Sequence, residues 1–202
     1  AARDDAPDLK TVITIGQGSG NGGPFWDMIE TAPSVVPSPP INPVEDLAAL
    51  PYSSGTTGLA KGVMLTHNSF SSYILSNVSP ADPDVEELNI LTAPLYHIAG
   101  MQAAIAAIYG GRTLIIQRQF EPKEWMELVE REKASRAMMV PTMLKMLLDH
   151  PDFHQHDLSS LEVVTYGAAP MPREVIERAI EALPGARFIN AFGQTETAAT
   201  IT

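Results

Sequence analysis

Ten consecutive residues, Ser53-Ser54-Gly55-Thr56-Thr57-Gly58-Leu59-Ala60-Lys61-Gly62, carry four hydroxyls, three glycines and one ammonium. The glycines free the backbone to turn its N–H groups toward an anion, and the hydroxyls and lysine add donors and a point charge. That donor set suits a polyphosphate, whose oxygens each accept several hydrogen bonds. It is not the G-x-x-x-x-G-K-[ST] loop of P-loop NTPases. Counting from Gly55, the second glycine position holds Ala60, and Gly62 stands where a hydroxyl should follow the lysine. A polar turn without a ligand is the bland alternative, and a run this rich in donors that ends in lysine between a strand and a helix makes it the weaker one.

Three later segments combine small and polar residues. Ala93-Pro94-Leu95-Tyr96-His97-Ile98-Ala99-Gly100 contains a histidine. A single histidine is more often structural than functional, but its place just past a predicted strand end favours function. Ala99, Gly100 and Ala103 are small enough to floor a roomy acyl or aryl pocket, and close helix packing explains them equally well. Gly167-Ala168-Ala169-Pro170 alone reads as a strand-to-helix turn. Asn190-Ala191-Phe192-Gly193-Gln194-Thr195-Glu196 joins an aromatic ring, a hydroxyl and a carboxylate after another predicted strand. His154 and His156 beside Asp157 have a spacing that a metal could use, yet HPDFHQHD reads better as an acidic surface loop, and no zinc site is expected.

Taken in order, the four segments resemble the signatures of the adenylate-forming superfamily, in particular its acyl-CoA synthetase and coumarate:CoA ligase branch. The resemblance implies ATP-dependent activation of a small carboxylic acid to an acyl-adenylate, followed by thioester formation with CoA, with Mg²⁺ as the metal. It implies that Ser53, Ser54, Gly55, Thr56, Thr57, Gly58 and Lys61 hold the β- and γ-phosphates. His97 would position the substrate carboxylate beside a pocket that includes Ala99, Gly100 and Ala103. Gly167, Ala168, Ala169 and Pro170 would wall the adenine site. Phe192 would stack on the base with Gly193 next to it, Thr195 would bond the α-phosphate, and Glu196 would help hold Mg²⁺. Lys61, His97, Thr195 and Glu196 are thus the residues expected to act in catalysis.

Departures from the family pattern carry information. Ala60 stands where proline is usual, which loosens the loop slightly. Ala191-Phe192 replaces the common Gly-Tyr, keeping the stacking surface and losing a phenolic hydroxyl. Tyr96-His97 replaces the Phe-Asp pair of the peptide-synthetase branch, which implies a substrate without an α-amino group. The family also has an aspartate that binds the ribose hydroxyls, a hinge and a small C-terminal domain bearing a lysine. None is expected in this chain, so the resemblance implies a partial N-terminal domain that is inactive by itself. Two other readings compete: a non-catalytic nucleotide-binding or interaction module of the same fold and, further behind, a P-loop-like NTPase.

These segments need a scaffold that brings them together. From Leu9 to Ile15 the run LKTVITI predicts one strand, followed by the flexible GQGSGNGGP. Residues 31–43 hold five prolines and almost no charge, a composition that resists both helix and ladder. Residues 1–46 are therefore read as a strand plus a Gly/Pro-rich connection, and residues 47–202 as an α/β core that binds nucleotide and acyl group. In that core DLAALPYS predicts a strand, Thr66 an N-cap for the helix HNSFSSYILSNV, and ELNILTAP a second strand. His97–Tyr109 is apolar on nearly every face and predicts a buried helix. RTLIIQ predicts a strand, and PKEWMELVEREK an amphipathic helix with proline at N1. RAMMV, PTMLKMLLDH, LEVVTY, PREVIERAIEAL and ARFIN continue the alternation. Repeated β–α–β units predict an α/β fold, a mostly parallel sheet with helices on both faces, and ligands beyond the carboxyl ends of the strands.

Composition narrows the partners. Twenty-four acidic against 13 basic residues give a net charge of −11, which repels nucleic acid. Without cysteine there is neither a disulfide framework nor a thiolate site, and a cytoplasmic location is expected. The longest apolar stretch, Ile98–Ile116, is interrupted by Gln102, Gly110, Gly111 and Arg112, so no transmembrane segment is expected. The N-terminus has no signal-peptide pattern. Oligomeric state is left open.

Overall fold

The computed structural model describes residues 24–35, 38–54, 58–198 and 200–201. The strand expected at Leu9–Ile15, and Gly55, Thr56 and Thr57, lie outside them. The chain divides into two compact units, Ala1–Pro40 and Ile41–Thr202. The first contains one described helix, α1 (Pro24–Thr31), which starts on a proline whose missing N–H would be unpaired there anyway.

The second unit begins before residue 47, where the sequence placed the start of the core, because the turn before it is tied in. Asp46 O accepts from His67 N–H at 3.2 Å, and Pro43 O accepts from Asn68 N–H at 2.7 Å. The single strand expected over DLAALPYS is two, β1 (Leu47–Ala49) and β2 (Tyr52–Ser53). Pro51 lies between them and has no N–H to give to a ladder. β2 pairs antiparallel with β3 (Lys61–Gly62), and β1 pairs antiparallel with β4 (Leu65–Thr66). Helix α2 (His67–Asn77) follows, and the Thr66 hydroxyl caps it by accepting from Ser69 N–H at 3.2 Å.

The main sheet contains β5 (Leu88–Leu91), β6 (Thr113–Ile116), β7 (Arg136–Met139), β8 (Val163–Gly167), β9 (Arg187–Gly193) and β10 (Thr200–Ile201). Their order is β6-β5-β7-β8-β9-β10; the first five are parallel, and only β10 runs antiparallel. Between the strands lie α3 (Ile98–Tyr109), α4 (Pro122–Glu132), α5 (Pro141–Leu148) and α6 (Arg173–Ala182).

Side-chain alternation sorts the two faces. Ile90, Ala137, Met139 and Val164 point into a core completed by Trp125, Met126 and Val129 of α4, Leu144 and Leu147 of α5, and Val175 and Ala179 of α6. Their neighbours in sequence, Asn89, Arg136, Met138, Val163 and Thr165, face the opposite way, toward α2 and α3. Helices therefore flank both faces. Helix α3 is less buried than its composition predicts: Ile98, Gly100, Gln102 and Ala107 are buried, while Ile108 is exposed. Pro122 opens α4 at N1 as expected, and Glu121 caps it by accepting from the Lys123 and Glu124 N–H groups at 3.2 and 2.6 Å.

Candidate active site

Strand β5 has β6 on one side and β7 on the other, so the chain steps out to the edge and then crosses back over β5. In an open parallel sheet this reversal leaves a crevice at the carboxyl ends of the strands, where ligands bind. The segment Ala93–His97 leaves β5 into that crevice. His97 is the N-cap of α3, and its Nδ1 accepts from Ala99 N–H at 3.2 Å. With Nδ1 used as acceptor, the neutral ring carries its proton on Nε2, a donor at the positive end of a helix. Gly100 is needed where it stands, because a Cβ there would lie 2.2 Å from Pro94 O and 2.7 Å from Ala93 O.

The second wall comes from β8 and β9. Gly167 ends β8 opposite Ala191, and a Cβ on it would lie 2.1 Å from Ala191 O. Ala168 then turns the chain with φ of +66°, a conformation that side chains resist. Strand β9 is longer than ARFIN predicts. Its register with β8 runs to Ala191, and its pairing with β10 carries it through Phe192 and Gly193. Asn190 to Gly193 are therefore strand, and the turn begins at Gln194. Thr195–Thr197 form one 3₁₀ turn, closed by the Thr197 hydroxyl donating to Gln194 O at 2.9 Å.

That turn is fixed from below. Gln102 of α3 is buried, and its Nε2 donates to Phe70 O of α2 at 2.9 Å and to Ala198 O at 2.6 Å. Ala198 follows the turn with φ of +61° and packs with Leu65, Phe70 and Ile98 in a small second core. One side chain thus joins α2, α3 and the Thr195–Glu196 turn.

A cleft of about 490 Å³ opens between α3 and the exposed face of β7, β8 and β9. His97, Ala99, Ala103, Ala168, Gly193, Thr195 and Glu196 all line it. Glu196 is exposed and has no hydrogen bond or ion pair among the described residues. Gly100, Gly167, Ala169, Pro170 and Phe192 do not line the cleft; Gly100 and Gly167 serve backbone approach, and Phe192 stands 68% exposed on β9. Ser53, Ser54, Gly58 and Lys61 do not line it either. They belong to the β2–β3 hairpin, where Ser53 is in register with Lys61. The segment expected to run from strand to helix is thus a hairpin, because Lys61 and Gly62 pair back onto Ser53 and Tyr52.

Two features escaped the sequence. Gln102 is visible there only as a polar interruption of an apolar helix. At the opposite end of the cleft Glu87 bonds both Arg112 Nε and, at 2.8 Å, Arg136 Nη1. Burial pushes the Glu87 carboxyl up, and the two guanidiniums outweigh it, holding the group below the ordinary carboxylate range. The histidine-rich loop is engaged otherwise: His156 Nδ1 lies 2.9 Å from Glu130 Oε2, and Asp157 accepts from Lys133 Nζ at 3.0 Å. Among the described residues, no helix is long and apolar enough to cross a membrane.

Comparison with known proteins agrees with this fold. Residues 2–202 match the family described as AMP-binding enzyme. The sequence is 35% identical over 198 residues to 4-coumarate-CoA ligase 2 of Oryza sativa subsp. japonica, covering 94% of this chain and 35% of that protein. It is 34% identical over 177 residues to 4-coumarate-CoA ligase 1 of Narcissus pseudonarcissus, covering 85% of this chain and 32% of the relative. Among solved structures, the amide bond synthetase McbA of Marinactinospora thermotolerans superposes with a TM-score of 0.77 at 28% identity, over 99% of this chain and 39% of that one. The inhibitor-bound N-terminal domain of FACL13 from Mycobacterium tuberculosis gives 0.72 at 27% identity, over 85% and 42%. The chain spans about a third of the length of these curated relatives.

Proposed function

Because the chain belongs to the AMP-binding enzyme family, we propose that the protein carrying it joins a carboxylic acid to CoA through an acyl-adenylate, using ATP and Mg²⁺. One observation carries the reading: His97, Ala168, Thr195 and Glu196 come from three separate segments and line one cleft at the carboxyl end of a parallel sheet.

The chemistry asks little covalent work of the protein. A carboxylate attacks the α-phosphorus of ATP and pyrophosphate leaves; CoA thiol then displaces AMP. The barrier is the approach of an anion to a polyanion, so positioning and charge neutralisation dominate. His97 Nε2–H and the N-terminus of α3 would hold the incoming carboxylate. Thr195 would orient the α-phosphate, with Ala168 beside the base and Phe192 stacked on it. Lys61 and the hairpin hydroxyls would steady the leaving pyrophosphate. Glu196 fits a Mg²⁺ ion, because one unpaired carboxylate plus phosphate oxygens and water is a donor set this ion accepts; it would offset charge on the phosphates. A cytoplasmic setting is part of this proposal, and a chain without cysteine has no disulfide that would call for an oxidising compartment.

Calorimetric titration with a non-hydrolysable acyl-adenylate mimic tests the site. Phe192→Ala is expected to weaken binding by one stacking contact, about 1–3 kcal/mol, and Lys61→Ala to leave it nearly unchanged, since the mimic has no pyrophosphate. Equal losses in both variants, or none at Phe192, would contradict the assignment.

A further inference from the structure

The cleft does not end at the catalytic turn. Asn89, Arg136 and Val163 form one row across β5, β7 and β8 at the amino ends of these strands, on the cleft face. Arg136 lies in register with Val163, four residues before Gly167. At a rise of about 3.3 Å per residue, the row is roughly 13 Å from the end of β8 where the site motifs gather. Ala103, Ala106, Met138 and Ile189 line the stretch between.

The far end is cationic in a chain whose net charge is −11. Arg112 and Arg136 meet there with Glu87 as their shared carboxylate. Arg112 alone would neutralise Glu87; Arg136 brings a second positive charge that no described acid balances. Its side chain is only 24% exposed, and one N–H donates to Glu87. The rest of its five-donor fork has no partner among the described residues. The N–H groups that Glu87 leaves free reach the open cleft, where an anion can take them in a charge-assisted bond. Along its length the cleft therefore presents a carboxylate-binding end, an apolar middle and a cationic end.

We propose that this cleft selects acids bearing a second, distal carboxylate, which pairs with the free fork of Arg136 while the first carboxylate lies at His97. The inference rests on the acid-activation reading above and adds the substrate class to it. The second carboxylate undergoes no reaction; Arg136 is a specificity residue.

The test uses the full-length protein and pyrophosphate release in the presence of ATP, Mg²⁺ and CoA with three acid series of matched chain length: monocarboxylic, ω-hydroxy and α,ω-dicarboxylic. The dicarboxylic series is expected to give kcat/KM at least tenfold above the others at its best length. Arg136→Met should lower that value tenfold to a hundredfold, mainly through KM, and leave the monocarboxylic series unchanged or improved. Arg136→Lys keeps a charge for Glu87 and loses the fork, so it should reduce the preference even if Arg136→Met fails to fold. Preference for monocarboxylic acids in the unaltered protein, or equal losses across all three series in Arg136→Lys, would overturn this inference and leave acid activation standing. No pyrophosphate with any acid would instead overturn the activation reading and this inference with it.

Discussion

Replacing Gln102 with methionine isolates the link between α3 and the Thr195–Glu196 turn, because methionine keeps the length of the side chain and removes its donors. Two carbonyls, Phe70 O and Ala198 O, then lose their hydrogen bonds. Ala198 O is left unpaired, which costs about 1–3 kcal/mol, whereas Phe70 O keeps its helical bond within α2 and loses only a second one, worth about 1 kcal/mol. The change also removes Gln102 Oε1, which is buried with no partner, and that offsets one such cost. The net expectation is about 1 kcal/mol, roughly fivefold in the folding equilibrium and about 2–4 °C in Tm for a chain of this size. Urea unfolding should show a lower midpoint at an unchanged slope. Stability alone does not identify a positioning role, so Val175→Ala serves as the comparison: Val175 is buried on the opposite face of the sheet. At matched destabilisation, Gln102→Met should weaken binding of the acyl-adenylate mimic and Val175→Ala should not. If both variants bind alike, or if Gln102→Met is as stable as the unaltered chain, the bonds to Ala198 do not hold the turn.

Gly167→Ala drives a methyl group onto the Ala191 carbonyl. Overpacking against backbone should cost about 1–3 kcal/mol, seen as a lower urea midpoint, and should weaken mimic binding because β9 carries the turn. Ala168→Gly relieves a residue held at φ of +66°; left-handed strain of about 1–2 kcal/mol against a glycine entropy cost of roughly 0.5–1 kcal/mol predicts a stability unchanged or raised by up to about 1.5 kcal/mol, read from the urea midpoint. Acid should destabilise the fold in a defined window. Glu87 is held low by Arg112 and Arg136, Glu130 by the His156 hydrogen bond, Asp149 by Lys145 and Arg178, and Asp157 by Ser159 and Lys133. Groups depressed on folding stabilise fully above their unfolded values, near 4.5 for Glu and 3.8 for Asp, and lose that contribution as pH falls through the folded values. Thermal melts should therefore be level from pH 7 to about 5 and fall below about pH 4; a Tm that rises on acidification would contradict these pairings.

The parts of the fold legible in the sequence are those governed by local rules. Val163 and Val164 lie in a strand flanked by turn residues, Thr66 and Pro122 mark helix starts, and the β–α alternation sets the parallel sheet. Where pairing is non-local, the sequence is silent. Nothing near Lys61 announces that it folds back onto Ser53, and the extension of β9 through Gly193 depends on pairing with Thr200 and Ile201. An apolar helix at one wall of a cleft reads like one enclosed on all sides, so composition overstates the burial of α3.

The site divides in the same way. His97, Thr195 and Glu196 sit in recognisable segments. The non-local groups of the cleft do not: Gln102, which holds the turn, meets Ala198 across 96 residues of chain, and at the far end Arg136 meets Glu87 across 49. Gly100 and Gly167 were legible as small residues, but their role in letting backbones approach emerges only from the carbonyls that face them.

The central claim is most directly tested by the nucleotide product. The full-length protein is incubated with ATP, Mg²⁺ and CoA, with and without a carboxylic acid, and the products are separated by ion-exchange chromatography. The account predicts AMP and pyrophosphate in equal amounts, formed only when acid is present. ADP and phosphate, or nucleotide turnover indifferent to the acid, would contradict it.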